Sequence, residues 1–411
     1  MLNKWKQTIS KFVCFVLTCQ LFILTTWAKP VWPSDTGIMA EAGIVMDMDS
    51  GAILYGQNIH LTYPPASITK ILTALIVLEN CNLDDTVTFS TTAVNQVEAD
   101  SGNKISVVAG DQLSVEDCLY SMLLVSCNQA ANALAEHTAG SISAFVDMMN
   151  EKLAELGCQE SHFENPSGLN GDNQYVSAYD MALIAQAAYD NETLVEISSA
   201  TTHRIAPTTQ NPDGFTIRGE HRLCVTEDPS SPYYYPEAIA GKTGYLIKAG
   251  NTLVTYAVKD NRRLVSVILK GQPRQYFVDG KALLEFGFRS FQNYTIADYE
   301  SRYFTGDETI SLDKGSFRAS DLMIDPDSVV TLPNGASFED ADISLGALPE
   351  ISPENAVALL TYSYNDRVVG TAYLLAKDGV TIDSDDSAAD APSSTDISTP
   401  SEPSAGADTD T

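Results

Sequence analysis

Residues 251–271 read NTLVTYAVKDNRRLVSVILKG. Asn251 to Val258 and Arg263 to Leu269 are rich in Val, Leu, Ile and Tyr and flank Asp260-Asn261, so the stretch predicts a β-hairpin closed by a tight turn. A second hairpin is expected far upstream, where Gly43 to Met48 and Ala52 to Tyr55 are joined by Asp49-Ser50-Gly51. Helical patterns lie between them. Ser67 to Glu79, SITKILTALIVLE, is apolar nearly all round, as expected of a helix buried in the middle of a domain. Ser114 to Val125 opens with the capping-box pattern Ser114-x-x-Asp117, and Asn128 to His137 and Ala178 to Tyr189 complete a helical subdomain. Gln275 to Phe291, with six large apolar residues from Phe277 onward, should close the domain against its sheet. Strands at both ends with helices between them imply one antiparallel sheet assembled from distant segments, an α+β fold rather than a doubly wound one.

The chain has 411 residues, 44% of them hydrophobic, enough for a full core and two domains. The first spans 35–292. From about Tyr294 the texture changes to short β-like runs, the best being Val329 to Leu332, Ala356 to Tyr364 and Val368 to Ala376, which predicts a small β-sandwich-like domain over 294–377. Residues 378–411 lack Lys and Arg and are rich in Ser, Thr, Pro, Ala and Asp, a composition that predicts a disordered acidic tail. At the other end, Lys4, Lys6 and Lys11 precede the mainly apolar Phe12 to Trp27, and Ala28 is a small residue before Lys29, so residues 1–28 read as a secretory signal and export is expected. A net charge of −30 opposes binding to nucleic acid or anionic membrane through bulk charge.

Five cysteines remain after the signal, Cys81, Cys118, Cys127, Cys158 and Cys224, an odd number at irregular spacing that reads as free thiols rather than a disulfide framework. Neither they nor the five histidines form a metal-ligand spacing, so no metal and no cofactor is expected.

Three short strings carry the chemistry. Ser67-Ile68-Thr69-Lys70 sets a hydroxyl and an amine at i and i+3, on one face of a helix. Alone it equally describes a helix start with a surface lysine, but this helix reads as buried, and burial lowers a lysine pKa toward a neutral amine that can accept the serine proton. Pro64-Pro65 leaves Ser67 near a helix N-terminus, where unpaired N–H groups can stabilise an oxyanion. Ser126-Cys127-Asn128 alone is a capping turn; functionally, Ser126 would relay a proton between Lys70 and the leaving amine, and Asn128 would either bind the substrate backbone or orient Lys70. Lys242-Thr243-Gly244 alone is a strand end; functionally, Lys242 supplies positive potential, Thr243 donates to a carboxylate, Gly244 makes room for an added substrate strand, and the N–H of Tyr245 is a second oxyanion donor. Set in this order, 59 and 116 residues apart, they point to acyl transfer.

With PPASITK, the stretch Asn165 to Ala185, AGKTGY, the 251–271 hairpin and ALLEFGFRSF (282–291), the trio resembles the serine-type D-alanyl-D-alanine carboxypeptidases, the low-molecular-mass penicillin-binding proteins of bacteria. The resemblance covers about residues 40–292 well and the β domain to about 378 more loosely. It implies an acyl-serine mechanism on peptidoglycan stem peptides ending in D-Ala-D-Ala, release of the last D-Ala, inhibition by β-lactams, and an active site at the edge of the helical subdomain. Two departures stand out: Cys127 where Gly or Ala is usual, and an acidic tail where an anchoring segment is common, which leaves membrane attachment open. A β-lactamase of the same fold is the nearest rival, although Glu164 to Gly168 lacks the Glu-x-x-x-Asn pattern of class A enzymes. A non-catalytic penicillin-binding sensor or wall-binding protein is the rival of another kind. Arg222 is a candidate for carboxylate binding, with a structural salt bridge as its alternative.

Overall fold

The computed structural model describes residues 29–34, 36–98, 101–301, 309–312, 314–349 and 352–382; the expected signal sequence and nearly all of the acidic tail lie outside them. Both hairpins form and join one five-stranded antiparallel sheet, in the order Ile53–Gln57, Ala42–Asp47, Arg262–Gly271, Gly250–Lys259, Ala238–Leu246. The register runs Val45 to Ser266 to Thr255 to Gly241. Asp260 and Asn261 take positive φ, 49° and 63°, which a two-residue turn needs to match the strand twist.

Side chains alternate between two cores, as strand geometry demands. Ile44, Met46, Val254, Val265 and Val267 face the helical region, while Val45, Leu253, Leu264 and Ile268 face the opposite side. On the first face lies Lys70–Asn80, buried from Lys70 to Val77, flanked by Asn128–Ala139 and Ala178–Tyr189. On the other lies Gln275–Ser290, which buries Phe277, Leu283, Leu284 and Phe286.

Two of the longer helices escape the sequence reading, Ile142–Glu155 and Glu192–Ser199; each is capped by the preceding residue, Ser141 Oγ accepting from Ala144 N and Asn191 Oδ1 from Leu194 N. The expected capping box is only half made. Ser114 Oγ accepts from Asp117 N at 3.0 Å, but the Asp117 carboxylate turns to His203 Nε2 at 2.7 Å and Ala206 N at 3.1 Å.

The C-terminal region is all-β in its strands, with Phe291–Thr295 paired to Val329–Pro333 and a four-stranded sheet of Leu322–Ile324, Arg367–Ala376, Ala356–Tyr364 and Asp342–Gly346. It is not separated from the first domain by a break in the core. Trp32, Leu54, Phe286 and Phe291 share one apolar cluster with Tyr362, Tyr364 and Leu374. A polar knot reinforces this junction. The buried Asp47 carboxylate accepts from Asp49 N, Ser50 N, Arg262 Nη2 (3.2 Å) and Asn293 Nδ2 (3.1 Å), and Ser50 Oγ bonds Thr331 Oγ1 at 2.7 Å.

Removing one partner of a buried ion pair leaves the other charge uncompensated. Asp47→Ala is expected to lower unfolding free energy by about 3 kcal/mol or more, read as a shift of the urea midpoint; a shift within error would mean that Arg262 finds its compensation elsewhere.

Candidate active site

Ser67 does not begin the α-helix itself. It lies in a single 3₁₀ turn, Ala66–Thr69, after which Lys70 is the first α-helical residue. The reason is local: Pro65 precedes the turn and Ala66 has φ +52°. In a 3₁₀ turn residues i and i+3 eclipse, which stacks the lysine over the serine. Lys70 Nζ stands 3.0 Å from Ser67 Oγ and 2.7 Å from Asn128 Oδ1, and it donates to the carbonyl of Ser167.

These partners bear on its charge state. Lys70 is fully buried; burial and then the nearby Lys242 charge push its pKa well below the ordinary lysine range. A neutral amine has two N–H bonds and one lone pair. The amide oxygen of Asn128 and the carbonyl of Ser167 can only accept, so they take the two N–H bonds. The remaining lone pair then faces the one partner that can donate, the Ser67 hydroxyl. Of the two roles open to Asn128, the geometry realises the orientation of Lys70.

Two backbone approaches hold the serine turn. Gly168, at φ +78°, lies so close that an added Cβ would stand 1.9 Å from Ala66 O, and one on Gly244 would stand 2.8 Å from Ser67 N. Thr252 Oγ1 donates to Pro65 O at 2.9 Å, tying the sheet to the same turn. The loop carrying Ser167 is built on Asn165, whose Oδ1 accepts from Gly168 N, Leu169 N and Ser167 Oγ, while Thr73 Oγ1 donates to Pro166 O.

A cleft of about 790 Å³ opens between this loop and the edge strand, lined by Ser67, Ser126, Asn128, Thr243, Gly244 and Tyr245 among others. Ala238–Leu246 is the outermost strand of its sheet, so its free edge can pair with an extended ligand. Ser126 lines the cleft at φ +62°; among the described residues its hydroxyl bonds neither Lys70 nor Ser67. Cys127 is fully buried, and burial pushes its thiol up to about 11, which makes it a packing residue rather than a nucleophile.

Lys242 acts at a distance from the ligand space. It is buried, with Nζ donating to Thr243 O at 2.9 Å, and does not line the cleft. By strand alternation its side chain shares the face of Gly244, which lies against the serine turn, so its charge acts on the site from beneath the cleft floor, while Thr243, Gly244 and Tyr245 line the ligand space. Burial lowers its pKa to about 8, Glu220 opposing the shift and Lys104 adding to it. Arg222 also differs from its structural alternative: among the described residues it makes no ion pair, and its guanidinium lies over the Tyr233 ring, 5.1 Å from the centroid, at the cleft wall. Sequence reasoning missed Ser167, whose contribution is a backbone carbonyl. The only signal was the turn-forming Asn165-Pro166-Ser167-Gly168.

A buried lysine beside a serine at the mouth of a strand-edged cleft has the geometry that serine acyl transfer requires. Residues 29–272 match the family described as D-alanyl-D-alanine carboxypeptidase, peptidase family S11, and the chain belongs to that family. Among curated relatives, DacF of Bacillus subtilis is 28% identical over 62% of this chain and 64% of its own length. DacB2 of Mycobacterium tuberculosis is 35% identical over 61% and 82%, and DacA of Haemophilus influenzae 31% identical over 75% and 78%. All three are named D-alanyl-D-alanine carboxypeptidases. The chain thus spans a little under two thirds of the Bacillus relative and about four fifths of the others. The crystal structure of penicillin-binding protein 5 from Haemophilus influenzae aligns with TM-score 0.63 and 25% identity over 84% of this chain and 98% of that one. That of the Mycobacterium tuberculosis D-alanyl-D-alanine carboxypeptidase aligns with 0.56 and 31% over 63% and 96%.

The two lysines set opposite limbs of a pH profile. Acylation of Ser67 by a fluorescent penicillin should speed up as pH rises and Lys70 loses its proton, then slow above about 8 as Lys242 loses the charge that attracts a carboxylate. Because Glu220 raises the Lys242 pKa, Glu220→Gln should move the alkaline limb to lower pH; an unmoved limb would detach it from Lys242.

Proposed function

We propose that this protein is a serine D-Ala-D-Ala carboxypeptidase of the bacterial cell wall, acting after export on peptidoglycan stem peptides. The observation that carries the reading is the Lys70 amine, buried between two acceptor oxygens with its third contact on Ser67. In this mechanism Lys70 takes the Ser67 proton as Oγ attacks the carbonyl between the last two D-Ala residues. The N–H groups of Ser67 and Tyr245 receive the developing oxyanion. Ser126, open to the cleft, protonates the departing D-Ala, whose carboxylate is drawn by Lys242 and held by Thr243 and Arg222. Water then hydrolyses the acyl-enzyme. β-Lactams present the same carboxylate and acyl carbon and so acylate the same serine.

The family assignment and the strand-edged cleft support this substrate class over the rivals. A class A β-lactamase needs a carboxylate to activate water beside the acyl-serine. Glu164 instead accepts from Asn173 N at 3.1 Å, and the group beside Lys70 in that loop is the Ser167 carbonyl. No helix among the described residues is long and apolar enough to cross a membrane.

Residues 29–411 should release D-Ala from diacetyl-Lys-D-Ala-D-Ala, penicillin should abolish the release, and Ser67→Ala should lower it at least about a thousandfold. Penicillin labelling without D-Ala release would favour the sensor, and rapid penicillin destruction would favour the β-lactamase.

A further inference from the structure

The cleft carries more charge than acyl transfer requires. Lys104 and Glu220 neutralise each other at 3.2 Å, while Arg222 and Lys248 line the cleft with no carboxylate partner among the described residues. Across from them stands Glu98, half-buried and with no cation beside it among the described residues. Its carboxylate is nevertheless held in place. Asn170 N and Asn170 Nδ2 both donate to Oε1, each at 2.7 Å, and its own carbonyl is fixed by Ser101 N and Ser101 Oγ. Oε2 has no hydrogen-bond or ion-pair partner among the described residues. A positioned carboxylate with one oxygen free, beside an otherwise balanced charge pair, is a receptor for a cation that arrives with the ligand.

Its place fits one part of the substrate. Asn170 follows Ser167 by three residues, so it stands within roughly 10 Å of chain from the carbonyl that holds Lys70, and the Glu98 carboxylate lies 2.7 Å beyond its N–H. An extended peptide with its D-Ala-D-Ala bond at Ser67 puts the Cα of its third residue roughly 5 Å further along the cleft. A diamino acid there carries a long side chain ending in an ammonium, which can span the remaining distance. Resting on the carboxypeptidase reading, we propose that Glu98 is a specificity-determining residue that takes the free side-chain ammonium of a diamino acid at the third position of the stem peptide. The substrate would then be dipolar like the cleft, its terminal carboxylate toward Arg222 and Thr243 and its amine toward Glu98. An amine already acylated in a cross-link is uncharged and loses this contact, so the site favours strands whose third-residue amine is still free.

The test compares acetyl-Lys-D-Ala-D-Ala, with a free side-chain amine, and its diacetyl analogue, both by D-Ala release and by affinity for the Ser67→Ala protein, which needs no turnover. The free-amine peptide should bind and react about fivefold better. In Glu98→Gln, which keeps an acceptor for Asn170, that ratio should fall to about one, and in Glu98→Lys it should invert. Raising salt should shrink it in wild type. A ratio near one in wild type, or one that survives Glu98→Gln, overturns the proposal. Absence of D-Ala release with a Glu98-dependent affinity ratio would support the recognition and remove the carboxypeptidase reading.

Discussion

The structure turns on one amine kept out of water. Among the described residues Lys70 has no carboxylate partner to hold its proton; two neutral oxygens and a serine hydroxyl surround it. Burying a charge without an opposite charge is costly, so the site favours the uncharged form, and that is the form a general base needs. Lys242 adds to the same pressure, although its own charge is needed for the substrate carboxylate. Two lysines near one another cannot both stay protonated easily, and since both are buried, a neighbouring carboxylate decides which gives way. Lys242 keeps a supporting carboxylate in Glu220, whereas Lys70 has none.

Much of the fold serves to hold that amine. Oxygens come from three distant segments: the serine turn, the head of Asn128–Ala139 and the Ser167 loop. Each is fastened by backbone contact rather than by side-chain choice alone. Gly168 and Gly244 let two chains press on the serine turn from different sides, where a Cβ would force them apart. The second core behind the sheet, continuous with the β region, stiffens the strand that forms the cleft wall. Cys127 fits this account because a small buried thiol does not disturb the turn between Ser126 and Asn128.

How much the sequence disclosed follows from where each signal resides. The two hairpins were legible because alternation and turn residues are local, and the serine–lysine pair was legible because four residues fix its geometry. Ile142–Glu155 was not, since its buried face is a thin line of Phe145, Met149 and Leu153 in a polar setting. The unmade half of the capping box depended on His203, 86 residues away in sequence, competing for Asp117. Ser167 acts through its carbonyl, which any residue would supply, so its type carried no hint. The burial of Lys242 could not be read either, because it depends on the distant serine turn that packs on the same face of its strand at Gly244.

The account's central claim is the neutral state of Lys70, and it can be observed without substrate. Protein labelled with ¹³C at the lysine ε-carbons, with the Lys70 signal assigned by its loss in Lys70→Arg, can be followed by NMR as pH is raised. The account predicts that this signal reaches the neutral-amine position well before those of the surface lysines. A Lys70 signal that titrates together with them would show an ammonium beside Ser67 and contradict it.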